Sequence, residues 1–185
     1  MNDVPQDAKI FIDRATFLRG SIVQSFAQME YMLGDLGHQA ATLPEYSDFA
    51  GFRRPVDSRI AMALEIAAAA GPFGPYRTGI EGICSTLKAI EPFRNFLTHG
   101  WLEVRSAPAG VLPKYHLQFR KWDPAKPNRP LYLRVDMDWL TELADRAMAG
   151  AVISQALFRE IYQGVGLQDP LFENYDGDTL KLPLF

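Results

Sequence analysis

The stretch "KAIEPFRNFLTHGWLEV", Lys88–Val104, is where the patterning of the chain changes. Up to Thr98 the apolar residues recur every three or four positions, the period of a helix with one buried face. From Trp101 onward apolar and polar residues alternate, the period of a strand. Between them Pro92 and Gly100 bracket Arg94, Asn95 and His99, three polar residues in an otherwise apolar segment. The segment therefore predicts a helix that stops at Gly100 and hands over directly to a β element.

Working outward, the helix ending here runs back to about Tyr76, with Ile80, Ile83, Cys84, Leu87 and Ile90 as its apolar stripe. Pro92 removes one backbone bond and is expected to bend it. The break "GPFGP" separates it from a second helix, "RIAMALEIAAAA", which Asp57 or Ser58 could cap. A first helix spans about Ala8 to Leu36 on the stripe Ala15, Leu18, Ile22, Phe26, Met29, Leu33 and Leu36, with Gly37 suited to its end. The aromatic, breaker-rich "LPEYSDFAGFRRP" reads as a connecting loop. Downstream, "WLEVRS", "KYHLQFRKW" and "LYLRVDM" predict three short antiparallel strands separated by "APAGVLP" and "DPAKPNRP". Asp138 then offers a cap for a last long helix, "WLTELADRAMAGAVISQALFREIYQ". The expected fold is mainly α: a helical bundle with a small antiparallel β insertion, about 101–135, before the last long helix. Residues 1–185 read as a single domain, with an irregular tail from about 164 to 185 whose apolar "LKLPLF" is expected to dock on the body.

Composition narrows the function classes. A 185-residue chain with 48% hydrophobic residues can bury one substantial core. A net charge of -3 argues against general coating of nucleic acid, while leaving room for a local basic patch. The lone Cys84 permits no intramolecular disulfide and fits a reducing, cytoplasmic setting. The start "MNDVPQDAKIF" lacks the marks of a signal peptide, and no apolar run approaches the ~20 residues that cross a bilayer.

No metal or cofactor site is legible. His38, His99 and His116 are far apart and have no zinc spacing, and Asp136 with Asp138 reads as a strand end followed by a helix cap rather than a hard-cation site. Gly79 and Gly82 only open a helix and make no phosphate loop. Cys84 lies on an apolar stripe and reads as core. Asn95 and His99, four apart, share one helix face, whereas Arg94 falls closer to the stripe of Ile80 and Leu87. An arginine there needs a partner. Glu30, bordering the first helix's stripe, and Glu91 are candidates for a structural brace, and His99 could simply complement the negative end of the helix dipole. Around the strands, Arg105, Lys114, Arg120, Lys121, Lys126, Arg129 and Arg134 interleave with Tyr115, Phe119, Trp122 and Tyr132. This pattern reads first as a solvated hairpin with protective edge cations, and it also suits a grip on single-stranded RNA through Arg120, Lys121 and Trp122.

"RNFLTH" followed by Gly100 resembles the hallmark of the HEPN superfamily: an arginine, a polar residue often asparagine, and a histidine four to six positions after the arginine. In that family the motif sits near the end of the third bundle helix, and the opening helix often carries a glutamate placed like Glu30. The β insertion has no assigned counterpart. The resemblance implies a metal-independent, cofactor-free endoribonuclease, in a toxin–antitoxin or phage-defence setting, that leaves 2′,3′-cyclic phosphate ends. Arg94, Asn95 and His99 would be catalytic, with Glu30 in support. It implies a homodimer whose two motifs meet in one cleft, an RNA substrate and a possible protein antitoxin. The alternative within the family is a non-catalytic module that binds a nucleotide, RNA or a protein. The chemistry suits the residues: a histidine, with its ordinary pKa of ~6.5, can move the protons, and an arginine can hold the charge that builds on phosphorus.

Overall fold

The computed structural model describes residues 5–51, 53–108 and 110–167. Helix α1 spans Gln6–Ala40 and α2 Val56–Ala68; a single 3-10 turn, Gly74–Tyr76, leads into α3, Arg77–His99. Strands β1 (Trp101–Ser106), β2 (Tyr115–Asp123) and β3 (Lys126–Val135) follow, then α4, Met137–Val165. The protein is mainly helical, with a small antiparallel sheet in the order β1-β2-β3 placed before the last helix.

The predicted stripes are core. On α1 the seven residues from Ala15 to Leu36 are at most 7% exposed, and on α3 Ile80, Ile83, Cys84, Leu87 and Ile90 at most 2%. Each large apolar side chain so buried contributes about 1.5–3 kcal/mol, which is why the helical period outweighs the local breaker at Pro92. The helix continues through that proline to His99. Two compact units emerge, Met1–Gln28 with Thr86–Ala151 and Met29–Ser85 with Val152–Phe185, their boundaries falling inside α1, α3 and α4.

The first unit contains the sheet. Trp101 pairs with Arg120 and Ser106 with Tyr115 across β1 and β2; Leu117 pairs with Val135 and Trp122 with Pro130 across β2 and β3. Tyr115, Leu117 and Phe119 of the central strand are buried. In the second unit the loop after α1 is anchored by Tyr46, fully buried, whose hydroxyl accepts from the Phe73 amide at 3.2 Å. There too the Tyr162 hydroxyl donates to Asp35 at 2.6 Å.

Four boundaries differ from expectation, each for a local reason. Helix α1 runs past Gly37 to Ala40. Gly37 is needed not as a stop but for space: a Cβ there would lie 2.0 Å from Met62 Cε and 2.8 Å from the Gly51 carbonyl oxygen. Neither Asp57 nor Ser58 caps α2, since both lie inside its first turn and Pro55 occupies the cap position with no side-chain bond. Strand β3 begins at Lys126 and absorbs most of the proline-rich "DPAKPNRP". An edge strand tolerates prolines because half of its amides have no ladder partner, and the register slips between Trp122 and Asp123 to admit them. The cap of α4 is Asp136 rather than Asp138: its carboxylate accepts the Trp139 amide at 2.8 Å, and Asp138 lies within the first turn.

The expected docking of "LKLPLF" lies outside the described residues. Among the described residues no helix is long and apolar enough to cross a membrane.

The assignment of the α4 cap has a direct thermodynamic consequence. Asp136→Ala should cost about 1 kcal/mol of stability in chemical denaturation. Asp138→Ala, which loses only a favourable charge near the positive helix end, should cost about half that or less. The reverse order would contradict the assignment.

Candidate active site at the end of helix α3

The last two turns of α3 are held from several sides within the first unit. Phe93 meets Trp139 of α4 edge-on, ring centroids 5.0 Å apart. The Arg94 guanidinium lies over the Phe26 ring of α1, 5.3 Å from its centre, and donates to Asn95 Oδ1 at 3.2 Å. Lys121 of β2 sits over the Phe96 ring at 4.5 Å. Leu97 is fully buried.

Helix ends leave carbonyls without intrahelical donors, and here a side chain supplies them. Arg19 of α1 donates from Nε to the Leu97 carbonyl, and from Nη2 to those of Thr98 at 3.3 Å and Gly100 at 3.2 Å. A planar guanidinium can serve several acceptors at once, and its charge complements the negative helix end. Gly100 completes the stop: its amide donates to the Phe96 carbonyl at 2.8 Å. A Cβ at that position would come within 2.2 Å of the same carbonyl oxygen. Glycine is thus a steric requirement where helix turns into strand.

Against this fixed background Asn95 is half-buried and His99 exposed. Four residues apart, they sit about 6 Å from each other along the helix axis, on one face. Arg94 and Asn95 are in direct contact, so the guanidinium is oriented by its neighbour. Glu30, in the second unit, lies 3.5 Å from the Arg59 guanidinium, and Arg59 also donates to the Glu30 carbonyl at 3.2 Å.

The three strand residues divide between two faces. Arg120 and Trp122 are on the outer face of β2, whereas Lys121, one residue out of phase, turns toward α3 and Phe96. A polar chain crosses that outer face. Arg134 Nε donates to Gln118 Oε1 at 2.8 Å, Gln118 Nε2 to Glu103 at 3.1 Å, and Arg105 to the same carboxylate at 2.9 Å. The Arg105 guanidinium holds the Glu103 carboxyl below the ordinary glutamate range, against an opposing push from burial, with Arg120 and Gln118 adding lesser contributions in the same direction as Arg105.

Sequence patterning does not reveal Arg19; its one trace is a cation beside Leu18 and Ile22 on the buried stripe. Gln118, 1% exposed, is equally silent, since a buried amide in a strand looks like any polar alternation. Trp101, next to the motif, is detectable only by its alternation with Glu103 and Arg105. Among the described residues no group of three or more His, Cys, Asp or Glu is placed to hold a metal ion. In comparison with known proteins, the chain matches no family model, no curated sequence and no solved structure.

If Arg19 fixes the end of α3, Arg19→Ala should lower unfolding stability by about 1.5–2 kcal/mol, the lower part of the range for bonds to a charged group because this side chain is half-exposed. Arg19→Lys should restore only part of it, since an ammonium lacks the planar fork. Unchanged stability in Arg19→Ala would remove the guanidinium from this role.

Proposed function

We propose that this protein is a metal-independent endoribonuclease of the HEPN type, acting as a homodimer, with Arg94, Asn95 and His99 as its catalytic residues. The observation that carries the reading is a contrast at the end of α3. Arg94 is oriented by Asn95 and by the Phe26 ring, while His99, one turn from Asn95, is left exposed. A histidine that exchanges protons with a substrate must be reachable, and His99 is.

The reaction follows from those roles. A 2′-hydroxyl loses its proton as its oxygen attacks the adjacent phosphorus, and the bond from phosphorus to the 5′-oxygen breaks. The 5′-oxygen takes up a proton, leaving a 2′,3′-cyclic phosphate and a 5′-hydroxyl. Arg94 stabilises the negative charge on the phosphoryl oxygens, Asn95 orients Arg94 or holds one of those oxygens, and His99 transfers protons. One imidazole does not readily serve as acid and base in the same step, so a second copy from a partner protomer completes the pair. A toxin–antitoxin or phage-defence setting, with a protein antitoxin as partner, belongs to the same proposal.

A second reading rests on Arg94 itself. Its packing on Phe26 is the geometry of a structural cation–π contact, worth about 0.5–2 kcal/mol. A non-catalytic module that binds a nucleotide, RNA or a protein would keep the arginine for that reason alone.

The two readings separate in one set of variants. The ribonuclease predicts RNA cleavage that survives EDTA and falls at least ~100-fold in His99→Ala and in Arg94→Ala. Circular dichroism should show His99→Ala folded as the parent. Activity retained in His99→Ala defeats the catalytic assignment. Absence of cleavage in the parent, together with a loss of stability in Arg94→Ala, selects the binding module.

A further inference from the structure

The strand register brings together residues that are scattered in sequence. Trp101 of β1 is opposite Arg120 of β2, which is opposite Tyr132 of β3, so one row across the sheet reads aromatic, cation, aromatic. Two residues along β2, Trp122 occupies the same face. The three rings are unusually open: Trp101 is 69%, Trp122 66% and Tyr132 50% exposed. By strand spacing Trp101 and Tyr132 stand about 10 Å apart with Arg120 between them, and Trp122 about 7 Å from Arg120 along the strand.

Arg105 and Arg134 share that face. They line a depression of about 550 Å³ beside the aromatic row, together with His116 and Gln118. The hydrogen bonds through Gln118 and Glu103 orient both guanidinium groups. Three arginines stand here against two acids, Glu103 and Asp136, the latter at the rim of the depression, on a chain whose net charge is -3.

We infer that the outer face of this sheet is a platform for single-stranded nucleic acid, with bases stacked on Trp101, Tyr132 and Trp122 and phosphates met by Arg105, Arg120 and Arg134. Open aromatic rings interleaved with cations fit this occupant because every base has a π-face and every linkage a negative charge. A duplex keeps its bases stacked on each other and cannot use the rings. A second copy of the chain docked by twofold symmetry would set this positive face against itself, which costs energy. The platform stands independently of the ribonuclease reading. It also adjoins it, since Trp101 is two residues from His99, no more than about 7 Å of backbone.

The test is fluorescence anisotropy with the full chain carrying His99→Ala, so that cleavage does not intrude. The probes are fluorescein-labelled 12-nucleotide oligo(U), oligo(dT) and an RNA duplex of equal length. Both single strands should bind more tightly than the duplex; a tighter oligo(U) complex would assign the platform to RNA, and equal affinities to single strands generally. Trp101→Ala and Trp122→Ala should each weaken binding about 5- to 100-fold, and Trp101→Phe should recover most of the loss. Three phosphate contacts predict a slope of about -2 for log affinity against log salt. Because the replaced rings are exposed, thermal melting of the variants should match the parent, and Tyr132→Ala serves if either tryptophan variant fails to fold. Several outcomes would overturn the platform: no single-strand binding at about 100 µM chain, unchanged affinity when both tryptophans are replaced, or preference for the duplex. A fourth is loss of self-association in the tryptophan variants with no nucleic-acid binding, which would give the face to a second copy. Binding by the His99→Ala chain without cleavage by the parent would count against the ribonuclease alone.

Discussion

The candidate site depends on one guanidinium. Arg19 gathers the carbonyls of Leu97, Thr98 and Gly100, the groups that a helix must leave unsatisfied where it stops. Without such a donor the last turn of α3 would fray into solvent, and the two-residue passage from His99 to Trp101 would lose its geometry. With it, the helix ends at a defined residue and β1 starts in a defined register. Gly100 makes the passage sterically possible and Arg19 makes it energetically favourable. The orientation of Arg94, the exposure of His99 and the placement of Trp101 all follow from that junction.

The junction divides neighbouring residues into two roles. Phe93, Arg94, Phe96 and Leu97 are engaged by α1, α4 and β2, and these contacts make the segment rigid. Asn95 is half-buried and bonded to Arg94, and His99 is exposed. A rigid backbone carrying a few reachable polar groups is what positioning for chemistry requires, because misplacement by ~1 Å is costly to catalysis. The same junction sets the phase of the sheet. Trp101 faces outward, so Glu103 and Arg105 do as well, and the pairing carries that parity to Arg120, Tyr132 and Arg134.

Much of this was legible in the sequence because it rests on periodicity. The stripes of α1 and α3 repeat often enough to outweigh single breakers, and the change of period at Gly100 marks the junction itself. A single residue is a weaker guide to a boundary than a repeated stripe. Gly37 resembles a helix stop, yet it is there to let Met62 and the Gly51 carbonyl approach. Asp136 and Asp138 are equivalent as sequence, and only the amide of Trp139 distinguishes them. Arg19 and Gln118 were illegible for a deeper reason: their partners are backbone or side-chain groups distant along the chain, and no local pattern encodes such a pairing. Lys121 adjoins Arg120 and Trp122 in sequence, yet the pleat sends it to the opposite face.

The central claim, that Arg94, Asn95 and His99 form a centre that cleaves RNA without a metal, is tested most directly by the ends it leaves. A defined RNA oligonucleotide should be incubated with the purified chain in EDTA and the fragments weighed by mass spectrometry. The account predicts 5′ fragments ending in a 2′,3′-cyclic phosphate and 3′ fragments beginning with a 5′-hydroxyl. Fragments with 3′-hydroxyl and 5′-phosphate ends, or an intact oligonucleotide, would contradict it.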